Sequence, residues 1–171
     1  MPASPSPDAI VQHHADLVYR VVLSLLRDPD EAADAAQEAL VKVWKGCTGI
    51  PAASLRAWCA RVARNAALDH LRRRKVRPQP AKEELPEPTS ASPLPDARAE
   101  AAELDREIDR ALDTLGEPYR SIVVLREIEG LAYQEVADTL DLPLNTMKVY
   151  LHRAKRRLRE AIAQRAPELV P

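Results

Sequence analysis

Two stripes of side chains carry most of the chemistry this sequence offers. In the first, Arg61, Asn65, Asp69 and Arg72 follow one another at steps of three or four, so they share one side of a helix that runs on into Arg73, Arg74, Lys75 and Arg77. An amide and a carboxylate set among arginines suit hydrogen bonding to unpaired bases, with the guanidiniums holding a sugar–phosphate backbone. Asn65 and Asp69 would equally satisfy neighbouring backbone or arginine groups, and the residues alone leave both readings open. In the second stripe Lys148 and His152 are four apart, as are Val149 and Arg153, which puts all four on the outer surface of one helix and leaves Met147, Leu151, Ala154 and Leu158 for the core side. An arginine fork donates to guanine, a lysine reaches guanine or phosphate, and a valine touches a thymine methyl. Pro143, with Thr146 just inside it, marks a helix start whose amides can face a phosphate.

Covalent chemistry has no comparable support. His13, His14, His70 and His152 are scattered, with His13 and His14 reading as a polar helix face, and neither a His-Glu-x-x-His pattern nor a glycine-rich phosphate loop occurs. Cys47 and Cys59 have no second Cys or His at ligand spacing and read as free thiols in a reducing compartment. No catalytic residue, metal site or cofactor is expected.

The net charge of −1 conceals a segregation. Arg61, Arg64, Arg72, Arg73, Arg74, Lys75 and Arg77 form one basic block, and Lys148, Arg153, Lys155, Arg156, Arg157 and Arg159 form another, while the compensating acids lie mostly between Glu83 and Glu129. Such a chain can bind a polyanion at two places and remain soluble.

Helices must position both stripes. With 4 glycines and no Phe in 171 residues, the composition favours helices over modest aliphatic cores, and strands are hard to find. Val11, Val18, Val21, Val22, Leu25 and Leu26 repeat at helical spacing; Asp28, Pro29 and Glu31 then open a second helix, with Ala36, Leu40, Val43 and Trp44 on its inner face, which stops at Gly46. Residues 46–53 read as a loop, and Ser54 as the cap of a third helix with Leu55, Trp58, Val62 and Ala66 buried. Pro78, Pro80, Pro86, Pro88, Pro93 and Pro95 rule out a helix or strand across them, so residues 78–97 read as a linker able to reach roughly 65 Å. Beyond it, helices are predicted around Leu104 to Leu115 and Tyr119 to Ile128. A short helix over Leu131 to Leu140, a tight turn at Asp141 to Pro143 and a long basic helix follow, the pattern of a helix-turn-helix reader. The predicted fold is all-α: two small helical domains, residues 8–77 and 98–165, joined by a proline-rich linker.

The sequence from Asp30 to Trp44 resembles the region 2 helix of extracytoplasmic-function (ECF) sigma factors of the sigma-70 superfamily. Leu55 to Trp58, Ala63 to Asn65 and Leu68 to Arg74 look like the next segment of that region, and Leu112 to Leu158 is similar to region 4. The resemblance implies a transcription initiation factor that binds core RNA polymerase and reads promoter DNA. By it, Asp34, Gln37 and Glu38 dock on the polymerase. Arg61, Asn65, Asp69, Arg72 and Arg73 recognise the melted −10 non-template strand, and Thr146, Lys148, Val149, His152, Arg153 and Arg156 face the −35 duplex. The linker, with Glu83, Glu84 and Glu87, would thread toward the RNA exit path. Asp141 and Asn145 stand where the family often has glycine, and Tyr150 where a smaller or basic residue is usual. No sensing domain is expected after Arg165, and regulation is expected to fall to an anti-sigma partner.

The rival reading is a stand-alone DNA-binding regulator whose N-terminal domain dimerises. Such a domain has no reason to carry the Asp34, Gln37 and Glu38 set beside the arginine stripe. Residues 1–7 lack a basic, apolar leader and no stretch approaches the ~18 apolar residues needed to span a bilayer. A cytoplasmic protein without membrane insertion is expected.

Overall fold

The computed structural model describes residues 5–76 and 96–169. Helix α1 runs Pro7–Leu26, α2 Pro29–Gly46, α3 Ala52–Val76, α4 Asp96–Asp113, α5 Tyr119–Val123, α6 Tyr133–Leu140 and α7 Leu144–Arg165; the short segment Val124–Ile128 continues α5 as a π-turn, and Pro167–Leu169 is a 3₁₀ turn. The expected linker falls on residues outside those described, except that α4 begins at Asp96; Arg77, Glu83, Glu84 and Glu87 also lie outside them.

Helix starts follow local chemistry. Ser6 Oγ accepts from Ala9 N at 3.2 Å, with Pro7 in the first turn of α1, and Asp28 Oδ1 accepts from Asp30 N and Glu31 N at 3.0 and 3.1 Å, with Pro29 opening α2. At α6 Glu135 Oε2 accepts from Ala132 N at 2.7 Å, the acidic half of a capping box. Helix α3 starts two residues earlier than Ser54, whose amide instead donates to Pro51 O at 2.8 Å, so Ser54 lies within the helix.

Helices α1, α2 and α3 pack as a three-helix unit. The seam is built largely of alanines, including Ala32, Ala35, Ala36 and Ala39 on α2 and Ala60, Ala63, Ala66 and Ala67 on α3. Small side chains bring the helix axes close, which leaves no room for an indole. Trp44, expected inside, is accordingly half exposed and donates its Nε1–H to Asp8 Oδ1 at 3.0 Å. Trp58 is half-buried instead, and its ring lies where a Cβ on Gly46 would come within 3.1 Å, so glycine there permits the close approach. His13 is exposed, but His14 is buried, and its pKa is lowered by that burial and then by the charges of His13 and Arg56. It does not belong to a polar face. Cys47 and Cys59 are buried free thiols; burial, reinforced by Cys47, pushes the Cys59 pKa up to about 11, which keeps it unreactive at neutral pH.

The two halves share one core. Ile122, Val124, Leu125, Leu131, Val136, Ala137, Met147 and Leu151 belong to the same buried cluster as Val18, Val21, Leu25 and Ala60. A smaller cluster of Leu112, Leu115, Val123 and Ala154 belongs to the C-terminal half alone. Contacts between halves run from α3 to α6 and from α1 to the π-turn.

Candidate nucleic-acid interface

The stripe on α3 is only partly free. Arg61 Nε donates to Thr139 O at 3.2 Å, its Nη2 donates to Asp138 O, and Asp141 Oδ1 stands 4.0 Å away. These carbonyls end α6, where a helix carries partial negative charge, so a guanidinium there is well placed. The buried Thr139 hydroxyl donates back to Ala57 O at 3.1 Å. Three residues along, Arg64 Nε donates to Ser121 Oγ at 2.8 Å and Nη2 pairs with Glu117 at 3.2 Å. Arg56 pairs with Glu135 at 3.0 Å.

Beyond these clamps the helix face opens. Asn65, Asp69 and Arg72, together with Lys75, line a cleft of about 1070 Å³ between α3 and the α4–α5 turn, with Asp113, Glu117 and Arg120 on the far side. Arg72 Nη1 donates to Asp69 Oδ1 at 3.1 Å, so Asp69 orients a neighbouring arginine. Asn65 is exposed in the cleft. Asp34, Gln37 and Glu38 are exposed on α2, and Glu38 faces α3, 3.5 Å from both Arg73 Nη2 and His70 Nε2. Thus Arg73 of one predicted set is paired with Glu38 of another.

The outer side of α7 is unobstructed. Lys148, Val149, His152, Arg153 and Arg156 are exposed and Thr146 is half-buried, while Met147, Leu151 and Ala154 are buried. Among the described residues neither Lys148 nor Arg153 has a carboxylate partner; Arg156 stands 3.7 Å from Glu160 on its own helix. Asp141 takes the left-handed conformation at φ 55°, and Leu142 N donates to Ala137 O at 2.9 Å, a Schellman-type close that fixes the α6–α7 angle. Asn145 lies inside α7 and needs no such freedom. Tyr150 packs on Tyr119 with ring centroids 5.4 Å apart, and Arg157 covers that ring at 4.4 Å, so Tyr150 is structural.

Residues 10–77 match the family described as sigma-70 region 2 and residues 105–158 match sigma-70 region 4. The ECF RNA polymerase sigma factor SigE of Mycolicibacterium smegmatis is 32% identical over 97% of this chain, which spans 65% of that protein's length. The RNA polymerase sigma-E factor of Streptomyces antibioticus is 35% identical over 92% of the chain and 85% of its own. The chain belongs to the ECF sigma factors. Its fold superposes on a sigma factor RpoE co-crystallised with the anti-sigma factor NepR from Bartonella quintana, with a TM-score of 0.65 and 22% identity over 89% of this chain and 93% of that one.

Within this sigma factor, the sequence reading overlooked the clamps. By sequence Arg64 belongs only to a basic block, because its partners Glu117 and Ser121 lie at least 53 residues away, and nothing local marks Arg56, whose partner Glu135 is 79 residues on. Arg27 and Arg120 likewise have partners 82 and 95 residues away, so no local pattern marks them. Arg27 takes a left-handed conformation at the end of α1, donates to Asp109 O at 2.7 Å and pairs with the carboxylates of Asp109 and Asp113. Arg120 donates to Leu25 O at 2.7 Å, and burial holds its pKa below the usual arginine value, opposed by Asp113. No helix among the described residues is long and apolar enough to cross a membrane.

Proposed function

We propose that this ECF sigma factor docks on core RNA polymerase through Asp34, Gln37 and Glu38, reads and helps melt the −10 element with the α3 stripe, and reads the −35 element with α7. It acts in the cytoplasm without catalysis of its own. The observation that carries this reading is the free, acid-poor face of α7 formed by Lys148, Val149, His152 and Arg153, set at the exit of a tight helix-turn-helix. Residues 8–77 and 98–165 are the working units and 78–97 the tether. Each unit offers a small, salt-sensitive contact set, so the isolated chain binds promoter DNA weakly. Mounted on the polymerase, the two sets act together at high effective concentration.

The closed packing supports control by a partner. With Arg61 engaged by the α6 carbonyls, α3 and α7 cannot reach two separated promoter elements at once, and an anti-sigma protein seated across both halves would hold that state. The deciding experiment is capture of core polymerase by the wild-type chain and by Asp34→Ala/Glu38→Ala at moderate salt. Capture by the wild type and loss by the variant is expected. Failure of a folded wild type to bind would favour the stand-alone regulator, which should then be a dimer. In the holoenzyme, Arg153→Ala should cost about 1–3 kcal/mol at one base position of the −35 element. Equal loss on every sequence, measured by competition among single-base promoter variants, would make Arg153 a phosphate contact instead.

A further inference from the structure

The C-terminal half grips Arg64 of α3 in the way a phosphate would. Arg64 Nε donates to Ser121 Oγ at 2.8 Å and its Nη2 to Glu117 Oε2 at 3.2 Å, while Ser121 Oγ donates to that same Glu117 oxygen at 2.5 Å. Two oxygens so closely spaced, presented to one edge of a guanidinium, reproduce the fork by which arginine takes two oxygens of a single phosphate. Ser121 is fully buried and the Arg64 side chain is 17% exposed, so water competes little for the pair.

Arg64 also lines the cleft onto which Asn65, Arg72 and Lys75 open, and the opposite wall carries the carboxylates of Asp113 and Glu117. That wall is held in place. Asp113 stands 3.7 Å from Arg27 Nη1 and 3.3 Å from Arg120 Nη2, which offsets the Arg120 charge, and Arg120 donates to Leu25 O at 2.7 Å, so the turn between α4 and α5 is tied to the end of α1. A nucleic-acid strand entering the cleft therefore meets an arginine already neutralised and carboxylates at close range.

We propose that Glu117 and Ser121 form an intramolecular phosphate mimic that masks Arg64 beside the α3 stripe, so that the closed chain resists single-stranded DNA until the mask is withdrawn. The inference rests on the reading of α3 as the single-strand surface. It gives the closed state a role of its own, because a binding position on α3 is filled by an anion of the same chain. A backbone phosphate and the Glu117 carboxylate cannot both occupy the Nε and Nη2 edge of Arg64. By linkage, a strand held there favours withdrawal of the α4–α5 turn as much as that withdrawal favours the strand.

The test uses the full chain and a short mixed-sequence single-stranded DNA, with affinity followed by anisotropy across a salt series. Glu117→Gln keeps an oxygen for Ser121 and Arg64 and removes the charge. It should raise affinity about three- to tenfold and steepen the slope of log K against log salt by about 0.7, as Arg64 takes up one phosphate. The radius of gyration of the free chain should stay at the wild-type value. In an Arg64→Ala background the same substitution should give no gain. A gain that persists without Arg64 would overturn the mask, and so would a gain accompanied by expansion of the free chain, which would make Glu117 a latch between the halves instead. Arg72→Ala/Lys75→Ala in the otherwise wild-type chain serves as the control. Loss of binding in the control with no gain in Glu117→Gln refutes the mask alone, and no effect of either on binding refutes the α3 reading and the mask with it.

Discussion

Thr139→Lys is expected to open the molecule. Thr139 is 2% exposed, its hydroxyl donates to Ala57 O, and its own carbonyl accepts from Arg61. A lysine at this position would bring an ammonium into a buried site, beside an arginine of the same sign. Burying such an unpaired charge costs several kcal/mol. A partly exposed pair that would resist separation, Arg56 with Glu135, contributes about 0–1 kcal/mol. The penalty exceeds what such a pair returns, and the same substitution removes the Thr139–Ala57 hydrogen bond and crowds Arg61 at the α3–α6 contact, so the halves should part. Small-angle scattering would read a wild-type radius of gyration near 16 Å, typical of a compact chain of this length, and a clearly larger value for the variant with helicity unchanged. Opening also frees Arg61, so single-stranded DNA should bind more tightly, because a closed fraction lowers apparent affinity in proportion to its population. A variant as compact as the wild type would show that the apolar contacts alone hold the closure.

That closure marks the boundary of what the sequence made legible. Local rules sufficed wherever the determining partner lay within a few residues. Asp28 and Pro29 capped α2 as their order demands, and Asp141 closed the turn before α7 in the left-handed conformation its short side chain tolerates. The outer face of α7 also followed from four-residue spacing. Periodicity assigned Trp44 to the core, but it counts apolar positions and not their size, and a seam of alanines excluded the ring. Asp69 and Asn65 were ambiguous by type, and only geometry separated them: Asp69 is used by Arg72, while Asn65 faces the open cleft. The shared core was beyond reach, because the prolines between the halves indicate a tether and carry no information on whether the tethered units meet. Arg61 illustrates the point, since its partners are a threonine carbonyl and an aspartate carbonyl 78 and 77 residues on, groups that every residue possesses and no side-chain pattern can announce.

A shared core has a thermodynamic signature, and Leu25→Ala should expose it. Leu25 is fully buried on α1 in the cluster that also holds Leu125, Leu131 and Val136 from the other half, and its carbonyl accepts from Arg120. Truncating such a side chain removes its transfer energy and leaves a cavity, at a cost of about 2–5 kcal/mol, or roughly 4–20 °C in melting temperature for a chain of this size. The probes separate the halves by nature: Trp44 and Trp58 report on the first three helices, whereas Tyr119, Tyr133 and Tyr150 dominate the tyrosine signal of the rest. In the wild-type background both signals should fall together and both should shift, because a cavity in common packing weakens both sides of it. In the Thr139→Lys background the coupling between sites is cut, so Leu25→Ala should move the tryptophan transition and leave the tyrosine transition, sustained by the separate cluster around Leu112 and Ala154, nearly where it was. A tryptophan-only shift in the otherwise wild-type chain would mean that the halves already unfold independently, and that the closure contributes less than thermal energy to their association.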